Sequence, residues 1–423
     1  MFKTLRNAWS IPDLRKKMLY TLLMIFVFRL GTYIPVPGLN ASALKQLVDG
    51  SNSLFGLLDA FSGGSFGNAT IFAMSITPYI NSSIILQLLT VAIPALERLA
   101  KEGEEGRKVI AKWTRIITIV LAFIQATGMY FGIKGAVKNP GVTSYIVIVA
   151  TFTAGTAFLM WLGEQITQKG VGNGISLIIF AGIVSRIPTM GYTLYQNVST
   201  GSVAWWAAVL VGIFAVAMIA FVVFITDAER RIPVQYAKRM VGRKMYGGQS
   251  THIPLKVAMA GVIPIIFAMS IMSFPSTIMQ FTGEPTSGFW RSFWSFIGSG
   301  SWFYIVLYFL LILFFTYFYT AIQFNPIEVS NNMKKNGGFI PGIRPGKPTS
   351  DYINRILSKV TLAGAFFLGV VAIIPLVFGK LVPTLSAVSM GGTSLLIMVG
   401  VALETVKQIE SQMLMRHYKG FLD

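Results

Sequence analysis

Apolar runs recur along the whole chain, near 18–36, 69–93, 115–133, 144–162, 172–190, 203–226, 255–281, 302–324, 359–379 and 383–403. Each approaches or exceeds the ~20 helical residues that cross a bilayer's hydrocarbon core. Together they predict ten transmembrane helices and an all-α polytopic membrane protein. One apolar piece breaks the rhythm. Leu54-Phe55-Gly56-Leu57-Leu58-Asp59-Ala60-Phe61 is too short to span, and it runs into Ser62-Gly63-Gly64-Ser65-Phe66-Gly67-Asn68. Unpaired backbone facing lipid is costly, so this piece is expected to lie against protein as a re-entrant half-helix. A half-helix hinged on glycines beside a spanning helix suggests a movable obstruction in a pathway.

Composition agrees: 54% of residues are hydrophobic and only 12% charged. The formal net charge of +19 would invite a nucleic-acid reading, but its placement argues otherwise. With the N-terminus on the cytoplasmic side, 28 Lys/Arg fall in cytoplasmic segments. Six fall outside (Lys45, Lys134, Lys138, Arg186, Arg291, Lys380), and Arg29 lies within a span. This is the positive-inside asymmetry, and it predicts that both termini are cytoplasmic. The polar, basic stretch 1–17 followed by a long apolar run predicts no cleavable leader. The chain has no cysteine, which excludes disulfides, thiolate chemistry and most zinc sites. Its two histidines form no His-Glu-x-x-His pair, and Gly170-Val171-Gly172-Asn173-Gly174 is not followed by Gly-Lys-Ser/Thr. No catalytic residue, metal or cofactor is expected.

Ten spans divide into five and five, with the external stretch 188–202 as the seam. Residues 1–187 (spans 1–5, plug-like piece about 54–66) and 203–423 would be antiparallel halves of an inverted repeat. The stretches 227–256 and 325–358 are long, basic and rich in glycine and proline turns. The first carries seven Lys/Arg and the second six, counting Lys359 at its edge. That surplus over a topology signal suggests a docking surface, with anionic-lipid contact as the other reading. Ile76 and Ile80, like Ile175 and Ile179, are four apart and share a helix face. Pro78 and Pro264 are expected to loosen hydrogen bonding in the helices beside them, letting those helices bend or shift. Ser83 and Gln87 continue the Ile76/Ile80 face, with Asn81, Ser82 and Thr90 nearby. This pattern fits either a water-filled funnel with an apolar neck or ordinary packed and lipid-facing isoleucines. Arg29 is either a pathway charge or a residue near the outer end of its span that snorkels or pairs. An inverted-repeat secondary transporter is the main rival, although span cores with no ionisable group but Arg29 count against it.

Several long motifs then resemble the SecY/Sec61α family. They include Thr32-Tyr33-Ile34-Pro35-Val36-Pro37-Gly38, Phe61-Ser62-Gly63-Gly64, Pro78-Tyr79-Ile80 and Gly172-Asn173-Gly174-Ile175-Ser176-Leu177-Ile178-Ile179-Phe180-Ala181-Gly182-Ile183. Further matches are Gln249-Ser250-Thr251-His252-Ile253-Pro254-Leu255-Lys256, Pro341-Gly342-Ile343-Arg344-Pro345-Gly346 and Gly391-Gly392-Thr393-Ser394-Leu395-Leu396-Ile397. The resemblance implies an hourglass channel that passes unfolded secretory polypeptides and releases signal sequences sideways into lipid. Its neck would be a ring of Ile76, Ile80, Ile175, Ile179, Ile266 and Ile397. The plug would comprise Leu54, Phe55, Leu57, Leu58, Phe61, Gly63 and Gly64. A lateral gate would place Ser83, Gln87 and Thr90 opposite Met269, Ser270 and Phe274. Arg243, Lys244, Lys256 and Arg344 would dock the SecA motor ATPase or the ribosome. SecE-like and SecG-like small subunits and a bacterial plasma-membrane location are implied likewise. One departure stands out: the family's Gly-Ile-Met before Pro-Tyr-Ile is here Ser75-Ile76-Thr77.

Overall fold

The computed structural model describes residues 2–49, 59, 62–236, 239–241, 244–246, 250–282, 301–381 and 392–419. Of the plug residues, Leu54, Phe55, Leu57, Leu58 and Phe61 lie outside the described residues, as does Arg243. In chain order the helices are α1 (Phe2–Ser10), α2 (Pro12–Gly31), α3 (Ala41–Asp49), α4 (Thr77–Ala92), α5 (Pro94–Lys101), α6 (Glu104–Gly132), α7 (Val142–Lys169) and α8 (Gly174–Val184). They continue as α9 (Ile187–Ser199), α10 (Trp205–Asp227), α11 (Ile263–Thr282), α12 (Trp302–Gln323), α13 (Pro326–Lys335), α14 (Lys347–Leu381) and α15 (Gly392–Lys419). Each predicted apolar run contains helix among the described residues, a pattern consistent with ten spans. Six helices meet the length and apolarity of a span on their own, counting α8 with α9 and α12 with α13, and seven do if a bent pair is included. The chain is a multi-pass membrane protein.

Helix boundaries follow local chemistry. α4 turns through 102° into α5, because Pro94 opens the second helix and Ile93 before it is extended (φ −109°, ψ 113°). Asn173 caps α8, its side-chain oxygen accepting from the Ile175 N–H at 3.1 Å and the Ser176 N–H at 3.3 Å. The stretch 188–202 is helical through Ser199, where α9 continues from α8.

Two expectations are corrected. The run 69–93 is helical only from Thr77, and residues 71–76 lie in successive turns. Ala69 and Ser75 have φ of +53° and +52°, a left-handed conformation that cannot continue an α-helix. Instead the segment pairs with the chain leaving α2: Val36 N–H donates to Ala69 O at 2.8 Å and Ile71 N–H to Ile34 O at 3.0 Å. Nor do Pro78 and Pro264 remove a hydrogen bond from a helix interior. Both sit in the first turn of their helices, α4 and α11, where an N–H would be unpaired anyway. The interior prolines are Pro275 in α11 and Pro375 in α14.

Glycines set the close approaches. A Cβ at Gly155 of α7 would lie 2.1 Å from Ile71 O, and one at Gly31 of α2 would lie 2.0 Å from the Phe72 ring. The segment leading to Ile76 is therefore seated between α2 and α7, with Phe72 stacked at 6.0 Å on both Phe28 and Phe158.

The apolar core has three main parts within the membrane helices. One, from Val36 to Phe152, belongs wholly to the first half. A second is built from α10, α11, α12, α14 and α15, with Ile84 of α4 reaching into it. The third draws on both halves and is described below. Outside the spans, β1 (Glu229–Tyr236) pairs antiparallel with β4 (Ser250–Lys256) and with β5 (Gly338–Phe339). A short ribbon of β2 (Arg239–Val241) and β3 (Lys244–Tyr246) extends from the same loop. The two long basic loops are thus one folded unit. Its own core of Ile232, Val234, Leu255, Met333, Ile340, Ile353 and Leu357 ties the sheet to α13 and the start of α14.

Candidate functional site

The third cluster brings all six candidate neck isoleucines together. Ile76, Ile179 and Ile397 are buried members, and Ile80, Ile175 and Ile266 are half-buried and packed against it. They come from four places: the start and first turn of α4, α8, the start of α11, and α15. The remaining members include Phe28, Phe72, Leu159, Leu162, Ile166 and Val401. α8 is pressed onto α7 at its base, since a Cβ at Gly174 would lie 2.0 Å from Gly163 O and one at Gly163 would lie 2.4 Å from Ile175 Cδ1. These contacts fix the rotation of α8 and so the face on which Ile175 and Ile179 stand.

Along α4 the polar residues divide by face. Ser82 is buried and its hydroxyl donates to Thr114 O of α6 at 2.8 Å, while Asn81 is buried with Oδ1 unpaired. Neither lines an open funnel. Ser83, Gln87 and Thr90 are half-buried on other faces. A hydrogen bond joins Gln87 to Tyr319 of α12, and Thr90 donates to Gln87 O at 2.7 Å. α4 packs against α11, where Met269 is half-buried and Ser270 buried. The contact is apolar: Ile84 and Leu88 of α4 share a cluster with Phe267, Ala268, Met269 and Met272. The backbone of Phe274 is in α11, but its side chain lies outside the description.

Gly63 and Gly64 both have positive φ, +65° and +87°, in the turns after Asp59. Arg29 is paired in the last turn of α2: Nη2 donates to Tyr33 Oη at 3.1 Å, and the guanidinium lies 5.0 Å from the ring centroid. That pairing accounts for its charge locally. Lys256 is exposed at the end of β4, opposite Glu229, and Arg344 is exposed in turns fixed by Thr349 Oγ1 donating to its carbonyl at 2.8 Å. Lys244 belongs to β3, with its side chain outside the description. Among the described residues no three His, Asp or Glu converge to hold a metal.

Comparison with known proteins decides the identity. The SecY family model matches residues 70–406. The chain belongs to the SecY family. It is 50% identical over 437 residues to the protein translocase subunit SecY of Halalkalibacterium halodurans, with both chains fully covered. It is 45% identical over 442 residues to that of Streptomyces scabiei, again over the whole of both chains. Among solved structures, a protein-conducting channel aligns with a TM-score of 0.64 at 17% identity, covering 94% of this chain and 92% of that one. The canine Sec61 of a ribosome-channel complex aligns with a TM-score of 0.59 at 16% identity, over the same shares. The chain is a protein translocase subunit with the fold of a protein-conducting channel, and the small-solute transporter reading is not favoured.

Sequence reasoning missed the shared sheet of the two basic loops and the partner of Asp59. The first was signalled faintly by the Ile232/Val234 alternation. The second was signalled by two isolated charges, Asp59 in the plug-like piece and Arg186 beyond the fifth span.

Proposed function

We propose that Ile76, Ile80, Ile175, Ile179, Ile266 and Ile397 form the channel's neck and close around a passing polypeptide. The observation that carries this is the gathering of six isoleucines, from four separated stretches, in one apolar cluster between the cores of the two halves. Branched aliphatic side chains exclude water from a narrow constriction and so resist ion flow, yet they yield around an extended chain. Residues 1–187 and 203–423 act as two halves about 188–202. The apolar α4–α11 contact is the lateral gate, through which signal sequences reach lipid. Gly63 and Gly64 belong to the plug that blocks the pathway at rest.

The protein is a passive conduit, with no catalytic group, in the bacterial plasma membrane. Its termini and basic loops face the cytoplasm, as the distribution of Lys and Arg supports. The energy comes from a SecA motor ATPase or a translating ribosome docked on Lys256, Arg344 and the β2–β3 ribbon carrying Lys244. Ribosomal RNA suits exposed cations, because phosphate contacts need charge and no base code. The ribosome-channel complex among the structural relatives supports this docking. SecE-like and SecG-like subunits and anionic lipid cover the exposed outer faces of the spans.

The test is resting ion conductance in planar bilayers. Ile179→Ser and Ile266→Ser should each raise it, whereas Ile213→Ser on the exposed face of α10 should leave it unchanged. Neck variants that conduct like the parent would refute the assignment.

A further inference from the structure

Asp59, at 5% exposure, is the one residue among Asp, Glu, Lys, Arg and His in the buried class of the described residues. Both of its carboxylate oxygens are engaged. Oδ1 accepts the Gly67 N–H at 2.8 Å, and Oδ2 faces Arg186 Nη2 at 3.4 Å. Its carbonyl accepts from the Gly64 N–H at 3.0 Å and from Ser62 Oγ at 3.2 Å, and Phe66 N–H donates to Ser62 Oγ at 3.0 Å. The 62–68 turns are therefore folded around this one aspartate.

The same turns touch the fifth span at a second point. A Cβ at Gly63 would lie 2.8 Å from Gly182 O and 2.9 Å from Gly182 Cα, so two backbones meet with no side chain between them. Gly182 and Arg186 are one helical turn apart. The α8–α9 junction keeps a helical course, with φ/ψ of −63°/−18° at Ser185 and −88°/−15° at Arg186. Residues 175, 179, 182 and 186 therefore form one stripe. It carries two neck isoleucines, then the glycine seat, then the arginine.

We propose that the Asp59–Arg186 pair is an electrostatic latch: it positions the 62–68 turns over the neck stripe and sets how readily the resting channel opens. The inference deepens the plug reading above and rests on it. The geometry suits a contact that must release. Asp59's side chain is 8% exposed and Arg186's 33%, so water reaches the arginine and screens the pair. A fully buried pair would hold the turns too tightly to let go.

The whole channel with its small membrane subunits, in planar bilayers, provides the test. Asp59→Asn keeps an oxygen for the Gly67 N–H and removes only the charge. Asp59→Asn and Arg186→Gln should each raise resting conductance about tenfold, the population shift that ~1.4 kcal/mol produces. The double variant should do no more than either single, and Arg186→Lys should restore most of the seal. A parental seal in both singles, or an additive double, would overturn the latch. A simple folding defect is separated by melting each variant, because a latch changes conductance at an unchanged melting temperature. The plug reading is tested apart from this. Asp59→Cys and Arg186→Cys, at positions whose native side chains meet at 3.4 Å, joined by a disulfide or a short bismaleimide, tether the turns to the α8–α9 junction. Blocked polypeptide passage supports the plug, and unimpeded passage would refute it whatever the conductance variants do.

Discussion

Gly155→Ala adds one methyl group at the place where the packing leaves none. The new Cβ would lie 2.1 Å from Ile71 O, whereas ordinary contact begins at 3.4 Å, so the 70–76 segment must retreat by about 1.3 Å. It has nowhere to go. Ile71 N–H is bonded to Ile34 O at 3.0 Å, and the Phe72 ring is wedged over Gly31 between Phe28 and Phe158. Overpacking of this kind costs ~1–3 kcal/mol, and a broken backbone hydrogen bond adds ~1 kcal/mol. The gross cost of roughly 2–4 kcal/mol exceeds the ~1 kcal/mol that alanine's helix preference returns, leaving a net loss of about 1–3 kcal/mol. The assay is denaturant unfolding of the purified channel in lipid nanodiscs, with Gly191→Ala as control. Gly191 lies in α9 with nothing within 4 Å, so its substitution should be neutral or stabilise by up to ~1 kcal/mol. The displaced segment also carries Ile76, so Gly155→Ala should leak ions at rest. Parental stability in Gly155→Ala would refute the close approach of α7 to this segment.

Ser75 occupies a left-handed conformation, φ +52°, which glycine adopts without a Cβ penalty. Ser75→Gly should relieve ~1–2 kcal/mol of strain less ~0.5–1 kcal/mol of lost chain freedom, a net gain near 0.5 kcal/mol by the same unfolding assay. The Lys407–Asp227 pair joins α15 to the end of α10 at 2.6 Å, but its side chains are 40% and 48% exposed. Asp227→Asn should therefore cost less than ~1 kcal/mol, read as a small shift in the unfolding midpoint. Arg344→Glu should weaken ribosome binding and flatten its dependence on salt in a co-sedimentation titration, because one phosphate contact is lost.

Much of the architecture is legible in the sequence because lipid imposes a simple rule, long apolar helices separated by charged turns. The neck is different. Spacing alone pairs Ile76 with Ile80 and Ile175 with Ile179, but nothing in it says that Ile266 and Ile397 join them; that came from the family's motifs. The start of α4 at Thr77 was hidden because residues 69–76 are as apolar as the helix itself. What ends the helix there is left-handed backbone at Ala69 and Ser75, residue types that do not advertise it. The Asp59–Arg186 contact spans 127 positions of chain, and a single sequence holds no register for such a pair. Conversely, a proline in an apolar run reads as a point where a helix loosens, whereas Pro78 and Pro264 are helix starts, a distinction set by the turns that precede them.

The most direct test of the neck is site-specific crosslinking to a stalled secretory polypeptide. The chain has no cysteine, so Ile80→Cys or Ile175→Cys gives a single reactive site, with Leu210→Cys on the exposed face of α10 as control. With small subunits, motor and ATP present, both neck variants should crosslink to the chain in transit and the control should not. Translocation that continues with neither neck position crosslinked would contradict the account, because the polypeptide would then pass by a route that these isoleucines do not line.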